Sequence, residues 1–231
     1  MNGWKTIAAF LVIISSLFVS GCTDQKKEEV NLGMHVDLSY ADNLKTMIDR
    51  APLIVLGEYK GIDRVENGAR NPKNPSLPAK NTYHEVEIYD FHVNKVLKGN
   101  LDQEKIQIGI AHKLQLQIND RKKIEINHPL YIKPQVGKKM ILFLDHEDPY
   151  TNYYTFPFTP NSIQLDHRNI ARLILPPVGD QRQTIKSHDQ TFQISIDGFP
   201  DSFNDQITGK TLSSLFNLIN IELDLNNDEN Q

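Results

Sequence analysis

"HEVEIYDFHVNKVLKG", residues 84–99, carries its apolar side chains in two phases: Val86 and Ile88 in one, then Tyr89, Phe91 and Val93 in the other. Side chains of a strand alternate between its two faces, so a shift of one residue moves the apolar set to the opposite face. A β-bulge inside a continuous strand produces such a shift and bends the strand, as the wall of a barrel requires. The stretch therefore predicts a long bent strand, and with it a curved sheet.

Working outward, Lys98-Gly99-Asn100 reads as a turn, and Ile106, Ile108, Ile110 followed by Leu114, Leu116, Ile118 read as two alternating strands. Met140-Ile141-Leu142-Phe143-Leu144 is an apolar run short enough for a central strand, and shorter candidates lie at 153–158, 162–165, 170–175 and 191–196. On the amino-terminal side, residues 66–81 hold three prolines and few large apolar groups, which predicts a long exposed loop. Leu53 to Gly57 reads as a buried strand. Leu38, Ala41, Leu44, Met47 and Ile48 fall at helical spacing behind a cap at Asp37, and Leu212, Leu215, Phe216 and Ile219 do the same behind Thr211. The predicted class is α+β: a β-rich antiparallel sandwich or partly open barrel with an N-terminal and a C-terminal helix.

The chain has 231 residues with 25 basic against 29 acidic side chains, a net charge of −4 and one cysteine. Its basic residues are scattered. Lys26-Lys27 and Arg121-Lys122-Lys123 are small clusters, and neither is interleaved with aromatics, so nothing points to nucleic acid.

The amino terminus reads as a targeting segment. Lys5 is followed from Thr6 to Val19 by apolar residues and small hydroxyls, about fourteen in all, where a membrane-spanning helix needs roughly 20. Val19-Ser20-Gly21-Cys22 closes it, and this stretch resembles the lipobox of bacterial lipoproteins. The resemblance implies a diacylglycerol on the Cys22 sulfur, cleavage between Gly21 and Cys22, and anchoring of the mature chain in the lipid bilayer at the extracytoplasmic face of the cell membrane. Two or three acyl chains anchor stably where one is marginal. A lipidated Cys22 also leaves no thiol for disulfide, nucleophilic or thiolate-metal chemistry. The expected organisation is a signal peptide over 1–21, a polar flexible tether over 22–36, one β-rich domain over 37–225 and a disordered tail over 226–231.

The succession Ala51 to Glu58, Tyr83 to Gly99 with its Leu-Lys-Gly, and Val136 to Leu144 with its Gly-Lys-Lys resembles secreted bacterial proteins of unassigned function. It is also similar to the OB-like barrel of netrin and tissue-inhibitor modules. The resemblance spans roughly residues 50–165 and implies an OB-like fold, without any functional residue.

The chemistry-bearing residues form few patterns. None of the eight histidines lies at a metal-ligand spacing, and His84 and His92 stand eight apart. Asp145, His146, Glu147 and Asp148 make the strongest acidic cluster, a metal candidate only in its oxygen-rich character and otherwise a solvated turn. Gly209-Lys210-Thr211 matches the tail of a phosphate-binding loop, but Asn204 occupies the position of its first glycine. No serine acyl-transfer motif is present, and no motif calls for a cofactor. Tyr150, Tyr153, Tyr154, Phe156 and Phe158 crowd nine residues. The last three are expected in the core, while Tyr150 and Tyr153 are the candidates for binding a partner. The expected function is a tethered domain binding an unknown envelope protein or ligand without catalysis. The alternative is a surface hydrolase acting on cell-wall or peptide substrates, with a carboxylate or histidine site assembled from distant segments.

Overall fold

The computed structural model describes residues 28–119, 122–186 and 190–229. Along it the chain forms β1 (Glu28–His35), α1 (Leu44–Arg50), β2 (Leu53–Asn67), β3 (Arg70–Asn71), β4 (Asn74–Pro78), β5 (His84–Lys98), β6 (Lys105–Asn119), β7 (Lys122–Asn127) and β8 (Lys139–Leu144). It continues through β9 (Ser162–Leu165), β10 (Ala171–Leu173), β11 (Gln181–Lys186), β12 (Gln190–Asp197) and α2 (Leu212–Glu229). Seven strands make one antiparallel sheet in the order β10-β9-β8-β2-β5-β6-β7, which curls into a half-barrel. Strands β1, β12 and β11 form a second sheet, and β3 with β4 a short ribbon.

β5 is the predicted long strand, but it is unbroken between Ile88 and Tyr89. Those residues face the consecutive Gly109 and Ile108 of β6. The apolar phase changes because different stretches of the strand are covered on opposite faces. Tyr89, Phe91 and Val93 pack with Ile106, Ile108 and Leu142 in one core, while Val86 and Ile88 lie under Tyr153. The bulges that bend the sheet lie elsewhere, in β5 itself at Asn94 and Leu97 and in its two neighbours. β2 has extra residues between Tyr59 and Gly61 and between Ile62 and Arg64.

In β6 the extra residue is His112. Ile110 faces Glu87 and Lys113 faces Glu85, so the residue between them and Ala111 has no partner on β5. The two strands predicted over 106–118 are thus one strand whose bulge flips its apolar face. Ile106 and Ile108 face the barrel core, whereas Leu114, Leu116 and Ile118 join Ile124 and Ile126 on the opposite face, against Phe192, Ile194 and Ile196 of β12.

β8 is buried on both sides, as its unbroken apolar run predicted. Met140, Leu142 and Leu144 enter the barrel core, and Ile141 and Phe143 face the helices, where Met47, Ile48, Leu215 and Ile219 close a third core. Each such side chain removed from water contributes roughly 1.5–3 kcal/mol, so the helices act mainly as an apolar lid on the outer face of the sheet. Thr211 caps α2, its hydroxyl accepting from the Ser214 amide at 3.2 Å.

Four local readings need correction. The spacer expected over 22–36 ends early, because Glu28–His35 is a strand parallel to β12, with Val30, Leu32 and Met34 in register with Phe192, Ile194 and Ile196. The amino-terminal helix is only Leu44–Arg50, capped by Asn43, whose Oδ1 accepts from the Thr46 amide at 2.9 Å, and not by Asp37. Residues 36–43 run extended instead, bonded through Ala41 and Thr159 to the segment after β8. The tail expected from 226 is helical to Glu229. Residues 66–81 form the β3–β4 ribbon, mostly exposed over 72–81 but half-buried from Glu66 to Asn71. The Asn67 side chain ties its base, donating to Ala79 and Thr82 carbonyls and accepting from the Ala69 and His84 amides.

Candidate functional site

β7 pairs only with the second half of β6, from Lys113 onward. The first half of that edge is taken by residues 153–155. Gly109 donates to the Tyr154 carbonyl and Tyr154 to the Gln107 carbonyl, both at 2.9 Å, while Asp145 at the end of β8 donates to Thr155. The segment thus bridges β6 to β8 across the open side of the half-barrel. Further along the edge, His128 donates to the His112 carbonyl at 2.7 Å. Between these two attachments Ile110 and Ala111 are left bare, and a cavity of about 500 Å³ opens there.

Gly109 makes the wall possible. A Cβ at that position would lie 2.4 Å from the Tyr153 ring, so only glycine lets the ring lie flat against the strand. Tyr153 is 5 % exposed, and Val86 and Ile88 complete its seat. The cavity walls are mostly apolar, with Met140, Phe156, Leu130 and Ile174 among them, as ligand sites generally are.

Polar groups also line it, among them Arg70, His84, His128 and Thr151, with Lys133, Gln135, Asn161 and Gln164 elsewhere on the lining. His84 and His128 stack with ring centroids 5.7 Å apart and planes 15° apart, and both line the cavity. Burial lowers the pKa of both, and His84 beside it helps push His128 down to about 4, so both are neutral at pH 7. The Leu130 amide donates to Nδ1 of His128 at 3.2 Å, which leaves the proton of the neutral ring on Nε2. Arg70 donates from a terminal nitrogen to Glu66 at 2.8 Å, and Tyr153 sits against its guanidinium. Three buried polar atoms on residues lining this cavity have no partner in the protein: Nε of Arg70, Nε2 of His84 and Oγ1 of Thr151. Buried polar atoms are nearly always paired, because leaving one unpaired costs roughly 1–3 kcal/mol. Three of the six such atoms among the described residues belong to residues that line this one cavity.

A second polar cluster sits on the other face of β5. Glu87, 7 % exposed, accepts from the hydroxyls of Tyr89 at 2.8 Å and Tyr131 at 2.7 Å. Nδ1 of His112 lies 2.8 Å from Glu85 and 3.2 Å from Glu87, off the line of a good hydrogen bond. The Tyr131 ring lies against the imidazole, 4.3 Å between centroids. Burial and the neighbouring Glu87 push the Tyr131 hydroxyl up to about 12. None of Glu85, Glu87, His112 and Tyr131 lines the cavity. The cluster pins the bulge and the segment after β7 to the barrel.

The residues singled out in the sequence are not brought together. Tyr150 is 51 % exposed and Tyr153 is buried, so they form no common surface. Tyr154 and Phe158 are in the core as expected. Asp145 caps the His146 amide and Asp148 caps the Tyr150 and Thr151 amides. With His146 and Glu147 they make a turn, and among the described residues no group of three or more His, Cys, Asp or Glu is disposed to hold a metal. Cys22 and Gly21 lie outside the described residues. The pairing of His84 with His128, 44 positions apart, has no local signature. The two partners His84 and His92, compared for their spacing, sit far apart along β5. No helix of the described residues is long and apolar enough to cross a membrane. No protein-family model, curated protein or solved structure matches the chain.

Proposed function

We propose that this chain is a lipid-anchored lipoprotein at the extracytoplasmic face of the cell membrane, acylated on Cys22 after cleavage behind Gly21, whose OB-like half-barrel binds a small ligand. The lipobox supports the anchor. The observation that carries the binding reading is the mostly apolar cavity with three unpartnered polar atoms on its lining residues. The hydrolase alternative draws little support from residues 145–148, where Asp145 and Asp148 are engaged by backbone amides of their own segment.

The test is to extract the full chain from membranes and identify what leaves with it. A small molecule released in stoichiometric amount from the parent, and absent from a folded Ala111→Trp variant that fills the bare edge of β6, is the expected result. Equal amounts in both chains, or none in either, overturns the binding reading. The mass of the amino-terminal peptide from the same preparation tests the anchor: it begins at residue 22 with acyl groups, and the Cys22→Ala chain loses both the modification and membrane retention.

A further inference from the structure

The donors and charges on the lining of the cavity narrow what it accepts. Nε of Arg70 is a donor without a partner, and Nε2 of His128 carries the proton of a neutral ring. The Thr151 hydroxyl and Nε2 of His84 are also unpartnered. The one carboxylate on the lining, Asp148, already accepts from two backbone amides through Oδ1. The unpartnered groups thus include a cationic donor, Arg70, and Lys133 adds a second cation to the lining. The counter-ion of Arg70 is Glu66, which Arg64 also holds, at 3.0 Å. The apolar part of the wall includes Val86, Ile110, Met140, Phe156, Leu130 and Ile174. A volume of about 500 Å³ admits an organic molecule but no folded partner.

We propose that the cavity takes a carboxylate-headed amphiphile, an acyl chain lying along the apolar wall with its carboxylate on Arg70, Thr151 and the histidine pair. The inference rests on the reading of the cavity as a ligand site. A cationic head would meet the Arg70 guanidinium. An uncharged ester of the same chain would supply an acceptor but no charge, and so would lose the charge-assisted part of the interaction.

The experiment titrates the full chain, reconstituted in lipid nanodiscs, with octanoate, methyl octanoate and octyltrimethylammonium by calorimetry against empty nanodiscs. Octanoate is expected to bind, methyl octanoate about tenfold or more weaker, and the cation not at all, since a hydrogen bond to a charged group is worth roughly a factor of 10 to 100. Arg70→Gln should remove that preference while leaving the ester within about twofold. Thr151→Val, which disturbs no ion pair, should weaken octanoate by several-fold even where Arg70→Gln unfolds the ribbon. Octanoate binding no tighter than its ester, or binding indifferent to both variants, overturns the carboxylate head. A co-purifying occupant without an anionic head overturns the ligand class and leaves the cavity reading standing. Binding of no probe, together with no co-purifying molecule, overturns both.

Discussion

His128 ties the pH response of the protein to its cavity. An unfolded histidine titrates near its ordinary value of about 6.5, while burial and His84 bring folded His128 to about 4. Between those values the unfolded chain holds the extra proton, so stability is fully present above pH 7 and is lost as pH falls toward 4. The loss is on the order of 2–3 kcal/mol for His128, with His84 acting in the same direction. Urea denaturation from pH 7 to pH 4 should show it. His128→Asn keeps an acceptor for the Leu130 amide and should flatten the slope; an unchanged slope would remove His128 from this role. Glu87 is the other residue on which much rests. Glu87→Leu leaves two tyrosine hydroxyls without their acceptor and His112 without one of its two carboxylates, which should cost about 3 kcal/mol in the same assay. Glu87→Gln retains an acceptor and should cost about 1 kcal/mol.

At the scale of elements, β1 shows what local pattern hides. Val30, Leu32 and Met34 alternate correctly for a strand, but Glu28 and Glu29 before them and Asn31 and Gly33 between them give the stretch the composition of a spacer. What makes it a strand is a partner more than 150 residues away, β12, whose Phe192, Ile194 and Ile196 are buried only when covered. Leu32→Asp places a charge against Ile194 and should release β1. Limited proteolysis would then cut before Val36 in the variant and not in the parent; equal resistance would mean that β1 contributes no protection. The same contrast runs through the fold. β8, the central apolar run, and α2, with its cap and helical spacing, were legible because their burial is written in consecutive residues. The phase change at Ile88 and Tyr89 was legible, but the bulges were not, because they lie at Lys60 and Asp63 of β2, Asn94 and Leu97 of β5 and His112 of β6, and are visible only in the pairing. The cavity was illegible for the same reason. It is an edge of β6 left bare by where β7 stops and residues 153–155 begin, and its polar atoms come from segments far apart in the chain.

For the whole molecule, the strand at 28–35 changes where the domain sits. With Cys22 acylated, only residues 23–27 separate the lipid from the first residue of β1. Six Cα steps span at most about 20 Å, whereas the tether expected to residue 36 would have reached about 50 Å. On the proposed acylation, the β1-β12-β11 sheet would stand within that shorter reach of the headgroups. Asn31 is exposed on β1, and with Cys22 lipidated an Asn31→Cys chain carries a single thiol for a fluorescent label. Energy transfer to an acceptor in the headgroup layer should be high in the parent. Inserting about 20 Gly/Ser residues between Asp24 and Gln25 adds roughly 25 Å of mean reach and should lower the transfer steeply. Transfer that stays high in the extended chain would mean that the domain adheres to the bilayer by its own surface, and the short tether would then not be what sets its position. Low transfer in the parent itself would mean that β1 does not hold at the membrane, and the domain would stand off by the longer reach.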